Sequence, residues 1–245
     1  MLNLVQTEFL KLRRKKLVWL MLAASLLMPV LAMLLFLYKG ESGVAPIEFY
    51  RWAAFGFTLF IILPVVLGVL CTMLMYDENQ YGVLKQLWIV PVSKTRWLLS
   101  KFFVVLAYSV GFMLLTAIAA ALFSVLPGIV AFEWGSLGYL LEKCCEIGVL
   151  AAFAILPVLA AAAAQKGYIF PVCAALVYAL AGFLLMTVDM YLHPICSMAA
   201  IVMREGDIPG LTFAEAPNTL RAGLCIFIWG AASVLAARAA LYKRG

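Results

Sequence analysis

The residues with the most to do chemically lie between Asp77 and Lys101. They read Asp77-Glu78-Asn79-Gln80-Tyr81-Gly82-Val83-Leu84-Lys85-Gln86-Leu87-Trp88, then Ile89-Val90-Pro91-Val92-Ser93-Lys94-Thr95-Arg96-Trp97. These types suit the transfer of force between proteins rather than bond-making. Asp77 with Gln80 three residues on resembles a capping box at a helix start. Tyr81, Leu84 and Trp88 then fall at i, i+3 and i+7, one apolar stripe on a short helix. Gly82 lacks a side chain and permits close backbone approach, and Pro91 ends the helix. Such a ridge fills a groove on a soluble partner. Without one it would be a wet apolar patch with no purpose.

Other chemistries are poorly served. The chain has one histidine, His193, and neither an HExxH nor an EExxxR arrangement, so it cannot assemble the groups that hydrolysis requires. No GxxxxGK[ST] loop is present to cradle ATP. His193 and Cys196, with Cys144 and Cys145, fall toward one membrane face, but their spacing is not that of a zinc site. Packing or free thiols are expected there rather than a metal or a disulfide. Cys71, Cys173 and Cys225 lie within apolar runs and read as small core residues. Glu142, Glu146 and Asp189 form a candidate acidic outer rim for a cationic peptide; the plainer reading is an interfacial anchor.

The elements that must position these residues are membrane helices. At 67% hydrophobic and 12% charged over 245 residues, the chain belongs in lipid as one all-α polytopic domain. Six spans are expected, at about 17–38, 52–76, 102–126, 146–164, 168–190 and 220–241. Pro64, Pro157 and Pro171 predict kinks or irregularity. Gln165-Lys166-Gly167 reads as a tight turn, and 191–219 as the longest, partly irregular connector. Thirteen of the eighteen Lys and Arg residues gather on the side of the termini and the 77–101 stretch, while nine of the twelve acids lie opposite. The positive-inside rule places both termini in the cytoplasm. Basic residues at span ends, with no aromatic-lined groove, exclude a nucleic-acid partner.

The amino-terminal segment reads as an interfacial helix, with Val5, Phe9 and Leu12 on one face and Lys11 turned toward lipid phosphates. Small-xxx-small pairs, Ala160 to Ala164, Ala232/Ala236 and Ser233/Ala237, let helices pack closely within one subunit.

Glu78-x-x-x-Gly82-x-x-Lys85, followed by Pro91-Val92-Ser93-Lys94-x-Arg96 and Lys101, resembles the coupling-helix region of ABC type-2 exporter permeases. Glu8-Phe9-x-Lys11 through Lys16-Leu17 and Trp19 is similar to their amino-terminal interfacial helix entering span one. Within that family, the short form resembles the lantibiotic-protection and bacitracin-resistance type. The resemblance implies a half-transporter in a bacterial plasma membrane, paired with a second identical or related permease and two copies of a cytoplasmic ATPase. ATP and magnesium would be bound there, with no cofactor in this chain, and the cargo would be a membrane-associated antimicrobial peptide; the alternatives are another cargo (drug, lipid or polysaccharide) or a membrane assembly or anchor protein that transports nothing. Asp77, Glu78, Tyr81, Gly82, Leu84, Lys85, Trp88, Pro91 and Arg96 are then the coupling residues, and Val5, Glu8, Phe9, Lys11 and Leu12 belong to the interfacial helix.

Overall fold

The computed structural model describes residues 2–40, 43–80, 93–205 and 217–242, and among them every regular element is helical. The order is α1 (Leu2–Arg13), α2 (Lys16–Ala23), α3 (Leu27–Lys39), α4 (Pro46–Tyr50), α5 (Leu63–Gln80), α6 (Lys94–Val125), α7 (Trp134–Ala154), α8 (Leu156–Ala164), α9 (Ile169–Leu185), α10 (Pro194–Val202) and α11 (Thr219–Tyr242). A tight turn, Ala24–Leu26, joins α2 to α3, and two wide turns, Arg51–Phe55 and Thr58–Ile62, join α4 to α5. Prolines punctuate this pattern. Pro29, Pro46, Pro64, Pro157, Pro171 and Pro194 each fall within the first three residues of a helix, where the missing N–H has no intrahelical role to lose. They restart helices rather than kink them midway.

Five stretches are long and apolar enough to cross a bilayer: Lys16–Lys39, Pro46–Glu78, Lys94–Val125, Trp134–Ala164 and Thr219–Tyr242. The protein is therefore a multi-pass membrane protein. The expected fifth span is represented by α9, which has only 17 residues. At about 1.5 Å per residue that is roughly 25 Å, short of a ~30 Å hydrocarbon core.

The second span is the centre of the bundle. It is 72% buried, against 33% for the first and last spans, whose leucines and aromatics face outward. Close approaches hold the layers together. A Cβ on Gly148 of α7 would lie 2.9 Å from the Val110 Cα of α6, and Ser109 Oγ donates to the Gly148 carbonyl at 2.7 Å. On α11 the buried face runs through Gly230, Ser233 and Ala237. Ser233/Ala237 thus packs within the subunit, whereas Ala232 and Ala236 are exposed.

Three boundaries depart from expectation. α6 begins at Lys94 rather than near 102, and α7 at Trp134 rather than near 146. In both cases charged residues that look like membrane-boundary marks lie well inside a helix. The 191–219 connector contains α10, eight of whose nine residues are buried. Cys71 and Cys225 are buried as expected, but Cys173 is exposed on α9; all six cysteines are free.

Candidate functional site

At one end of the bundle, here the basal end, α1 meets the close of α5 and the start of α6. The inward stripe of α1 is Val5, Glu8 and Leu12, with Glu8 and Leu12 each only 5% exposed. This corrects the expected face: Phe9 is 42% exposed and Glu8 takes the inward position. The reason is a charge buried opposite.

That charge is Lys101, 1% exposed within α6. Its ammonium donates to Glu8 Oε2 at 2.5 Å and pairs with Glu78 Oε1 at the end of α5. Lys11 Nζ donates to Glu8 Oε1 at 2.7 Å and to Glu78 Oε1 at 3.2 Å. The indole of Trp97 donates to Glu78 Oε2 at 2.6 Å. Each carboxylate oxygen of Glu8 and Glu78 thus has a donor, and two acids face two ammoniums.

Such closure is required, because each desolvated ion costs several kcal/mol unless its partners are complete. Burial pushes the Glu8 carboxyl up, but Lys101 and then Lys11 outweigh it and hold the group below its ordinary value. Burial likewise pulls Lys11 down, and Glu8 with Glu78 overcomes this and raises it.

The neighbours extend the tie. Lys15 pairs with Asp77, so Asp77 serves the last turns of α5 and is not the cap of a following helix. The N-cap of α6 is Ser93, whose Oγ accepts from Arg96 N at 3.3 Å. Arg96 is exposed on the first turn of α6. Lys94 Nζ donates to the Leu241 carbonyl at 2.9 Å and sits 4.6 Å from the Tyr242 ring centroid, fastening α6 to the last turn of α11. Higher up, Tyr108 OH donates to the Val18 carbonyl at 3.1 Å, joining α6 to the first span. Tyr81, Gly82, Leu84, Lys85, Trp88 and Pro91 lie outside the described residues.

The acids expected as an outer rim do not form one group. Glu142 is exposed, and Asp189 accepts from Tyr191 N at 2.8 Å in a local turn. Glu146 meets Lys143 at 3.3 Å, one turn earlier on α7, and pairs with Arg204 beyond α10. Nearby His193 is buried, its Nδ1 accepting from Ile195 N at 3.2 Å to cap α10. Among the described residues no group of three His, Cys, Asp or Glu side chains is placed to hold a metal.

Sequence reasoning missed Lys101 as a hub, Trp97 and Lys15 as donors, and Arg204 as a partner. The available signal for Lys101 was an ionisable residue one turn into an apolar run, matched by acids at Glu8 and Glu78.

No curated protein matches the chain. Residues 4–182, which run from α1 through most of α9, match the family described as ABC-2 family transporter protein. Buried ion pairs at the base of a polytopic helical bundle are thus found in a chain that belongs to the ABC-2 transporter family, whose permeases work with an ABC ATPase.

Proposed function

We propose that the chain is the permease subunit of an ATP-driven exporter that removes an antimicrobial peptide, of lantibiotic or bacitracin type, from the membrane. The carrying observation is the closed ion cluster where α5 ends and α6 begins, on either side of residues 81–92. A loop serving only as a connector has no need of desolvated charges at both ends. A loop that takes up force does, because its load must reach the spans without those helix ends splaying. In this reading both termini and residues 77–97 are cytoplasmic, α9 counts as the fifth of six traverses, and a second permease copy completes the path. The Tyr76–Tyr168 ring contact, at 5.5 Å between centroids, sets the start of α9 at the basal end. Asn218 N donating to Tyr191 OH at 2.7 Å sets the start of α11 beside the chain that follows α9. Both contacts support counting α9 as a traverse between them.

The chain is expected to supply no catalytic residue and no cofactor site, leaving ATP and magnesium to the partner. Reconstitution with that ATPase in liposomes provides the test: a lantibiotic or bacitracin should stimulate hydrolysis in a way that depends on this subunit. Stimulation by a drug or lipid instead would keep the exporter and change the cargo. Absence of any association with an ABC ATPase would defeat the reading.

A further inference from the structure

We propose that the cavity between α1 and the end of α5 is a binding site for the headgroup of an anionic phospholipid, with Arg14 as the residue that selects its charge.

The cavity has a volume of about 580 Å³, and Lys11, Arg14 and Lys15 share its wall with Leu10, Asp77 and Glu78. That volume lies within the roughly 300–1,000 Å³ of small-molecule sites. The three cations stand at i, i+3 and i+4 where α1 ends, a spacing that puts side chains on one face of a helix. Arg13 falls between them at i+2 and is not part of the wall.

Charge decides what fits there. The carboxylates around the cavity are already engaged: Asp77 by Lys15, and both Glu78 and Glu8 by Lys101 and Lys11. Arg14 is exposed and has no acidic partner among the described residues. Four cations, Lys11, Arg14, Lys15 and Lys101, therefore meet three carboxylates, and the surplus is the Arg14 guanidinium. A phosphodiester carries one negative charge at neutral pH and brings the group to balance. A guanidinium can hold it through two parallel N–H···O bonds. A choline or ethanolamine headgroup would add a cation beside Lys11 and Lys15 and restore the surplus, so a headgroup without one is selected.

The position commits the anion to a lipid rather than to solution. Span one begins at Lys16, directly after the cavity wall, and Leu17, Trp19 and Leu20 on its first turns are exposed. Phe9 and Leu10 of α1, before the helix break, are exposed as well. Apolar side chains facing outward at this level lie along acyl chains, and the basic residues beside them lie at the phosphates. A phospholipid can thus keep its tails against span one while its headgroup enters the cavity. Free phosphate gains only the charge attraction, which salt screens at an exposed site.

The test uses the full chain, stripped of native lipid in detergent, and follows by native mass spectrometry the binding of phosphatidylglycerol, phosphatidylcholine and inorganic phosphate. Phosphatidylglycerol should bind more tightly than phosphatidylcholine. Arg14→Gln should weaken phosphatidylglycerol about five-fold, the contribution of one basic residue at a lipid surface, and leave phosphatidylcholine unchanged. Arg13→Gln is the matched control. Arg13 is also exposed and has no acidic partner among the described residues, but it lies off the wall, so neither lipid should respond. Equal losses in the two variants would reduce the effect to diffuse attraction by a basic segment and overturn the site. Equal binding of the two lipids would overturn it too, as would displacement of phosphatidylglycerol by inorganic phosphate at like concentration. No ATPase or cargo takes part, so none of these outcomes touches the exporter reading.

Discussion

Glu78 and Trp97, nineteen positions apart, are joined Oε2 to Nε1 at 2.6 Å, so the end of α5 and the start of α6 meet directly. Trp97→Phe keeps an aromatic ring but loses the pyrrole half of the indole with its N–H, leaving one oxygen of a buried carboxylate without its partner and a small cavity beside it. A cost of about 1–3 kcal/mol is expected, toward the upper end for an ionised group. Trp19→Phe is the matched control. Its indole donates to the Arg13 carbonyl at 3.2 Å, but the residue is 60% exposed, and an effect within roughly 0.5 kcal/mol is expected. Thermal midpoints of the two variants in one detergent decide the point; equal losses would mean that the end of α5 and the start of α6 gain nothing from the bond.

The pH dependence of α1 docking follows from two opposite shifts. Glu8 has a folded value below its ordinary 4.5, so its contribution is complete above 4.5 and is lost as pH falls through the lower folded value. Lys11 has a folded value above its ordinary 10.5, so its contribution is complete below 10.5 and is lost as pH rises through the raised value. The groups facing Glu8 are Lys101 and Lys11, with Glu78 across the same cations. Docking should therefore be flat through the neutral range and fail in acid. The mobility of a label at Leu10→Cys, followed against pH, checks this; a midpoint near neutrality would show that Glu8 is not held as a carboxylate.

Gly148 marks where α6 and α7 come closest. An added Cβ meets Val110 Cα at 2.9 Å, Val110 N at 3.2 Å and the Ser109 carbonyl at 3.3 Å, all backbone atoms of a long helix that cannot swing aside. Gly148→Ala should cost about 1–3 kcal/mol by overpacking. At Gly111 on α6 an added Cβ would meet nothing within 4 Å, and Gly111→Ala should stabilise the helix by ~0.5–1 kcal/mol. Opposite signs in the thermal midpoint are expected, and a shared sign would show that the approach is not rigid.

Much of this fold is legible from lipid alone, because a bilayer demands long apolar runs and the chain supplies them. The errors share one physical cause. Lys101 and the Glu142-Lys143-Glu146 group read as marks of the membrane boundary, since an isolated charge belongs in water. In the folded protein Lys101 is neutralised by Glu8 and Glu78, and Lys143 by Glu146, so α6 and α7 run through them. The misplaced stripe of α1 has the same origin: a wheel drawn from apolar residues alone selects Phe9, whereas the helix turns Glu8 inward to meet Lys101. Pairings across 93 or 58 positions leave no local pattern from which to read them. α10 was hidden for another reason: Pro194 looks like a breaker and is in fact its first residue.

The distal acids allow a prediction that separates structural from recognition roles. Glu146 is half-enclosed between Lys143, itself 3% exposed, and Arg204, so it ties α7 to the chain that follows α10. Glu142, four positions earlier, is exposed. If these acids served together as a rim for a cationic peptide, Glu142→Gln and Glu146→Gln would weaken cargo stimulation alike and leave the fold intact. The geometry favours a different split. Removing the Glu146 charge takes the shared carboxylate from two cations, one of them buried, and losses of up to about 3–5 kcal/mol attend the removal of one partner from a buried pair. The value here should fall below that range, since Arg204 is one-third exposed. Glu142→Gln should stay within roughly 0.5 kcal/mol of the parent. Thermal midpoints measured beside peptide-stimulated hydrolysis resolve it: Glu146→Gln should lose stability and Glu142→Gln should not, and equal midpoints with equal loss of stimulation would restore the rim.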